Sequence, residues 1–402
     1  MTPAQERLTR LLAGFPPGDY SAGEWQELIA EASRHDLVPL LYFRLSRGGA
    51  APAFPATLWE KMLARYRLNA AANLHRFHSL HPVLAGLKAA GVPVIVLKGA
   101  YLAAVVYDHA ALRSMSDVDL LVHREDLPRA DAVLAAAGFR RREFELAPGR
   151  EENEFHYLDP TGHALLELHW DLYKPDYPFR FDLAAMWRSS VTETVAGESV
   201  RVFAPEDQLL HLTSHAAVHR FEFGLRPLCD LAAVLAHGPL DWSLLVERAR
   251  RAGGARAVGL PLFLARDLLG AAVPETVVTS LLAPGLPVAM AEEARETVLL
   301  NSRRGRAHGE PNPNLFLFLG RRRWRDRLTL VRNRFFPSRQ TIAALYPVPV
   351  DSPRIWWYYI RHGRTLVARN LPGLRTLLAG RGTRTRAVDR AAALMDWLMQ
   401  SR

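Results

Sequence analysis

Between Leu112 and Val122 the chain reads LRSMSDVDLLV, and two acids two residues apart open a run of Val and Leu. An apolar run of this length predicts a buried strand. Side chains on a strand alternate, so Asp117 and Asp119 share one face while Val118 and Leu120 share the other. Two carboxylates about 5–7 Å apart in such a setting repel one another and lose hydration, so something cationic must compensate them. A chain built around this strand needs a sheet at its centre and positive charge brought to one end of it.

The flanking segments supply that sheet and its helices. Residues 92–99, VPVIVLKG, read as a strand ending in Lys98-Gly99, and AYLAAVVYD reads as a short helix after it. EDLPRADAVLAAAG predicts a helix ending at Gly138, followed by a strand near 139–146. EFHYLD (154–159), the turn signal PTG and HALLELHW (163–170) predict a hairpin, and ESVRVFA (198–204) a last strand. Residues 1–90 read as helical: Ser21 and Glu24 have capping-box spacing, and GGAAPAFPA (48–56) is a linker or turn. A long helix from about Thr57 to Ala90 stops at Gly91. From Pro205 to about 300 the pattern is helical again, and RRGRAHGEPNPN (303–314) is a loop. The expected fold class is therefore α+β. A small mixed-sheet core, 91–205, follows an N-terminal helical region, 1–90. A helical region that packs on the core, 206–302, and a basic, aromatic-rich helical C-terminal region, 303–402, complete the chain.

Glu167 lies on HALLELHW with Leu166 and Leu168 on the opposite face and His169 on its own. One region thus offers three strand-borne carboxylates, Asp117, Asp119 and Glu167. The strand–glycine–helix turn at Gly99 suits a phosphate. Oxygen ligands select Mg²⁺ or Mn²⁺, which keep waters and bind substrate phosphates. Two such ions about 3.5–4 Å apart activate a hydroxyl and stabilise a developing phosphoryl charge. Lys98 is either a solvated strand-end lysine or a phosphate contact. Arg113 either pairs with an aspartate or reaches the phosphates.

The order K-G at a strand end, then R-x-x-S-D-x-D-L-L-V, then E-L-H-W resembles the polymerase-β-type nucleotidyltransferase superfamily. More narrowly it resembles the bacterial group labelled "uncharacterised nucleotidyltransferase". The likeness extends to EWQELIAEASRHDLVPLL, the Gly138-Phe139 step, and PEDQLLHLTSHAAVH with LRPLCDLAAVL, over about residues 20–240. It implies that Asp117 and Asp119 are metal ligands for two Mg²⁺ ions and that Glu167 is a third ligand or the activator of the acceptor hydroxyl. Gly99 would begin the triphosphate turn of an NTP donor. The superfamily carries Gly-Gly or Gly-Ser there; this chain has Gly99-Ala100, and Lys98, Arg113, Ser114 or Ser116 would replace the lost hydroxyl contact. The implied reaction moves an NMP group from an NTP to a hydroxyl or phosphate of an acceptor and releases pyrophosphate. A small molecule, saccharide or modified peptide is the favoured acceptor. The alternatives are a toxin-like enzyme that modifies tRNA or protein and a catalytically idle nucleotide- or RNA-binding module.

His156 and His169, in the strand pair near Glu167, and His215 are candidates to line the acceptor pocket; structural histidines are the other reading. His211, His215 and His219 fall at i, i+4 and i+8 on one helix face. Such spacing can hold zinc, but no fourth ligand accompanies it, so a face packed under the site is expected.

Charge separates the C-terminal quarter from the rest. Residues 301–402 hold 21 Arg, no Lys and 5 acidic residues, although the whole chain is only +10. GRRRWRDR, around Trp324, mixes Arg with an aromatic as single-strand binders do, yet a solvated basic face is favoured over nucleic-acid binding. IWWYYI (355–360) is expected to pack as a core helix rather than lie at a membrane interface. No apolar run reaches the ~18 residues of a membrane span. MTPAQERLTR lacks the build of a signal peptide, and Cys229 has no second cysteine to pair with. A soluble, cytoplasmic protein is the expectation.

Overall fold

The structure is a computed structural model that describes residues 1–47, 54–142, 153–173, 177–300, 335–336, 339, 342, 348, 351–366, 390 and 393–399. Helices α1 (Pro3–Leu12), α2 (Ala22–Arg34), α3 (Val38–Arg47) and α4 (Ala56–Ala89) open the chain. Ser21 and Glu24 close the capping box of α2 as expected. Past α4, Gly91 turns to a φ of +63°, which only the lack of a Cβ makes cheap.

The sheet then begins with β1 (Ile95–Val96). Helix α5 (Lys98–Tyr101) runs into a π-turn over Leu102–Val106, and β2 (Asp117–Leu121), α6 (Leu127–Ala136) and β3 (Arg140–Arg142) follow. The expected hairpin is β4 (Glu154–Leu158) with β5 (Leu165–His169). Helix α7 (Leu183–Ser189) precedes a second hairpin, β6 (Val191–Val195) and β7 (Glu198–Val202). The helices α8 (Pro205–Val218), α9 (Arg226–His237), α10 (Trp242–Arg251), α11 (Ala255–Leu269), α12 (Glu275–Leu281) and α13 (Val288–Leu300) complete the chain to residue 300.

Seven strands form one mixed sheet in the order β3-β4-β5-β2-β1-β7-β6. The α+β expectation holds. Strand β2 is central: it runs parallel to β5 and antiparallel to β1, with Asp119 opposite Glu167 and Leu121 opposite His169. On one face, Val118, Leu120, Leu166, Leu168 and Tyr157 join the main apolar core, together with Leu80, Val83, Leu84 and Leu87 of α4 and Leu134 of α6. On the other face a smaller cluster of Ile95, Leu97, Leu121 and Phe203, closed by Met186 and Trp187 of α7, covers one end. The remaining end of that second face carries the acids.

The turn between β4 and β5 is built around one carboxylate. Asp159 is fully buried. Its Oδ1 accepts from the backbone N–H groups of His163 and Ala164, and its Oδ2 from the hydroxyls of Thr161 and, on α4, Ser79, with His75 Nε2 of α4 3.0 Å from the same oxygen. Burial alone would raise this carboxyl, but those four donors outweigh it and hold it well below the ordinary carboxylate range. Asp159→Ala strands buried donors, so a loss of about 2–4 kcal/mol is expected at pH 7. Because the folded-state value is depressed, the stabilisation is complete above the unfolded value near ~3.9 and is lost as the pH falls below it. Urea melts of wild type and Asp159→Ala should therefore differ less at pH 3 than at pH 7; an unchanged gap would contradict this role.

Three features differ from the sequence reading. VPVIVLKG forms a strand only over Ile95–Val96, with one further bond from the Leu97 N–H to the Asp119 carbonyl, because Lys98 itself takes a left-handed φ of +42° and starts α5. Strand β6 went unanticipated: VTETV has little apolar content, and its signal was the turn, where Ala196 and Gly197 both take positive φ. IWWYYI is not a core helix: Ile355 is buried with Ile342 and Val348, whereas Trp356, Trp357 and Ile360 are more than half exposed. Helical periodicity turns only residues 355, 362 and 366 inward. Trp324 with GRRRWRDR, the loop 303–314, most of 48–56 and residues 143–146 of the expected third strand lie outside the described residues. Among the described residues no helix is long and apolar enough to cross a membrane.

Candidate functional site

Strand register assembles the site. Asp117 and Asp119 on β2, Glu167 and His169 on β5, and Glu154 and His156 on β4 all project from the same face, since paired residues share a face. The expected convergence of Asp119 with Glu167 is thus a cross-strand pair, and the expected shared face of Glu167 and His169 is present.

The charge that balances Asp119 in this structure comes from the chain itself. Lys98 Nζ donates to Asp119 Oδ1 at 2.7 Å, and His169 Nε2 lies 3.1 Å from the same oxygen. The Asp119 side chain is 3% exposed and that of Lys98 15%. Lys98 is thus not a solvated lysine: in this structure it is a largely buried counter-ion of Asp119. Burial would push its ammonium down, but Asp119 and Glu167 outweigh that and hold it above its ordinary value. Burial would also raise Asp119, and Lys98 and His169 reverse it, so Asp119 stays ionised. His169 is pushed up to about 9: burial opposes its charge, while Asp119 and Glu167 favour it more strongly. Glu167 moves the other way and is raised, by burial and by the like charges of Asp119 and Asp117, with His169 opposing.

A fourth carboxylate, Glu154, stands behind His169. Its Oε2 is 3.1 Å from His169 Nδ1 and its Oε1 is 3.4 Å from His156 Nε2. Burial works to raise it, yet His156, His169 and Lys98 bring it down to about 2. The sequence reading missed Glu154, although the alternation E-x-H in EFHYLD was a usable signal, placing Glu154 and His156 on one strand face. It also missed Arg76 of α4, whose Nε is buried without a hydrogen-bond partner. Burial lowers the Arg76 guanidinium, and Asp117 partly restores it.

The remaining candidates are distributed unevenly. The Ser116 hydroxyl donates to Asp117 Oδ2 at 2.9 Å. Gly99 lies at the site, but a Cβ there would meet Met115 Cγ at 3.0 Å and Sδ at 3.1 Å, so its bareness admits Met115. Arg113 Nε donates to both carboxylate oxygens of Asp230 on α9, and the Ser114 hydroxyl donates to the Asp36 carbonyl. Arg113 therefore takes the aspartate-pairing alternative, with Asp230 as the aspartate. His156 lies 3.5 Å from Glu167. His211 and His215 face the site from α8 and are held well below the ordinary histidine value, by burial first and then by Lys98. His219 pairs with Glu222. The three α8 histidines do not form a metal-type cluster among the described residues.

One ligand-type atom each from Asp119, Glu167 and His169 lies within 4.8 Å of the others. Two carboxylate oxygens and an imidazole nitrogen, fixed by strand register, fit a small divalent cation. The described acids, Lys98 and the histidines can in addition orient phosphates and accept a proton from a hydroxyl.

A family profile described as "Uncharacterised nucleotidyltransferase" matches residues 21–270. No curated protein matches the chain. Among solved structures, the solution structure of the antibiotic-resistance factor ANT(2'')-Ia is similar at 17% identity, over 49% of this chain and 94% of that one, with a TM-score of 0.31.

Proposed function

Because this chain belongs to the uncharacterised nucleotidyltransferase family, we propose that it is a divalent-cation-dependent enzyme that moves an NMP group from an NTP to an acceptor hydroxyl or phosphate. The acceptor is proposed to be a small molecule, saccharide or modified peptide. The observation that carries this reading is the in-register Asp119–Glu167 pair, with Asp117 two residues before and Lys98 against Asp119, on a sheet face whose other end is covered by apolar side chains.

Asp117, Asp119 and Glu167 would hold Mg²⁺ or Mn²⁺, which supplies charge stabilisation at the transferred phosphoryl group and lowers the pKa of a bound hydroxyl. Glu167, already raised by burial and its like-charged neighbours, accepts the acceptor's proton. The acceptor oxygen forms its bond to the α-phosphorus as the bond to the β-phosphate oxygen breaks, and pyrophosphate leaves with the electron pair. Lys98, Gly99 and Ser116 line the donor end of the site, and Arg76 offers it an otherwise unpartnered guanidinium nitrogen. Arg113 and Ser114 act there only on release from Asp230 and Asp36. His156 and His215 border the acceptor side. In this reading 91–205 is the catalytic unit, and 206–302 supplies the wall that carries His215.

Incubation with α-³²P-labelled NTPs and a cell extract should move label onto an extract component in a cation-dependent way. Calorimetry with each NTP should show binding that requires Mg²⁺ or Mn²⁺. NTP binding with no cation requirement, and no transfer of label, would remove the proposal.

A further inference from the structure

We propose that His169 is itself a ligand of the divalent cation, through Nε2 beside Asp119 and Glu167, and that Glu154 positions it, so that the seat prefers Mn²⁺ to Mg²⁺. This rests on the nucleotidyltransferase reading above and changes its ligand set from oxygen alone to oxygen and nitrogen.

The geometry comes from the two ends of one ring. His169 Nε2 is 3.1 Å from Asp119 Oδ1 and 3.6 Å from Glu167 Oε2; His169 Nδ1 is 3.1 Å from Glu154 Oε2. A bare imidazole lone pair aimed at a carboxylate oxygen is repelled, so each nitrogen needs a positive centre between it and its acid. At Nδ1 one carboxylate lies at ion-pair distance, 3.1 Å, with no aligned hydrogen bond to it in this structure, so its charge alone faces that end of the ring. At Nε2 two carboxylates converge, and one cation can serve all three donors. An imidazole with a carboxylate on its outer nitrogen and a metal on its inner one is a recurrent arrangement, because the carboxylate fixes the tautomer and the ring orientation.

Burial keeps the ring there. The His169 side chain is 5% exposed. Its strand position is opposite Leu121 on β2 and opposite Glu154 on β4, so it is paired on both sides. An imidazole in place of an oxygen donor favours Mn²⁺ over the hard Mg²⁺, which holds oxygen ligands and water. His156, the other histidine near the acids, lies 3.5 Å from Glu167 and 3.4 Å from Glu154.

The test is pulsed electron paramagnetic resonance of the full chain with Mn²⁺ and a non-hydrolysable NTP analogue. Wild type should show ¹⁴N modulation that converts to a ¹⁵N pattern when the protein carries ¹⁵N-histidine. His169→Gln should lose it and His156→Gln should keep it, which identifies the nitrogen even if His169→Gln folds poorly. In calorimetry Glu154→Gln should weaken Mn²⁺ binding by about 10–100-fold, and Mg²⁺ binding by no more than about threefold. Absence of histidine nitrogen coupling in wild type, with cation-dependent NTP binding intact, would overturn this inference and leave the proposed function standing. Absence of any cation-dependent NTP binding would remove both.

Discussion

Asp119→Asn is expected to lower nucleotidyl transfer by at least about 10³-fold and also to destabilise the fold by about 3 kcal/mol. Removing an acid from a cluster of acids ordinarily relieves repulsion. Here Asp119 is the direct partner of Lys98 at 2.7 Å and of His169 at 3.1 Å, both largely buried. An amide leaves an ammonium without its main counter-charge, and breaking a buried pair from one side costs several kcal/mol because the other charge stays behind. Glu167 and Asp117 recover part of that loss, which keeps the destabilisation at the lower end of that range. Asp117→Asn is the informative contrast. Its carboxylate is half-buried, accepts from the Ser116 hydroxyl, and adds like charge to Glu167. Its removal should change stability by less than ~1 kcal/mol while impairing transfer as severely. Thermal melts and single-turnover transfer assays on the two variants separate these effects. Equal destabilisation by both would mean that Lys98 does not depend on Asp119; wild-type transfer in either would end the catalytic assignment.

The sheet and its acidic face were legible because their signals are local. DVDLLV and HALLELHW alternate with a period of two, so the face on which Asp117, Asp119, Glu167 and His169 lie followed from spacing alone. The identity of the compensating charge was not legible. A metal was expected from the carboxylates; that the chain also places Lys98 on Asp119, from a left-handed turn at Lys98, was not foreseen. A positive φ at a lysine has no sequence signature; glycine would have announced it. Glu154 was hidden for another reason. The alternation in EFHYLD puts it on one face with His156, but that this is the face of Glu167 follows only from the β4–β5 register. Arg113 shows the limit in reverse. Its two readings were both stated from sequence, and only the position of α9, more than a hundred residues away, brings Asp230 to it.

In this structure Asp230 holds Arg113. Asp230 accepts from Arg113 Nε at 2.8 and 3.0 Å and from the Tyr107 hydroxyl at 2.9 Å, with side chains 12% exposed for Arg113 and 2% for Asp230. The network joins α9 to the loop that feeds β2, and we propose that it supports the acids rather than contacting phosphates. Asp230→Leu should cost about 3–5 kcal/mol by stranding the guanidinium, and Arg113→Met should cost a comparable amount by stranding the carboxylate. The double variant should recover much of the loss, with a coupling of at least about 2 kcal/mol in chemical melts, because both charges leave together. Under the phosphate-contact reading the pattern inverts: Arg113→Met would raise the KM for the NTP at least tenfold with little change in stability, and the two substitutions would add. Nucleotide affinity and unfolding free energy measured on the same four proteins distinguish the two. A KM effect confined to Arg113→Met, with additive stabilities, would return Arg113 to the donor site.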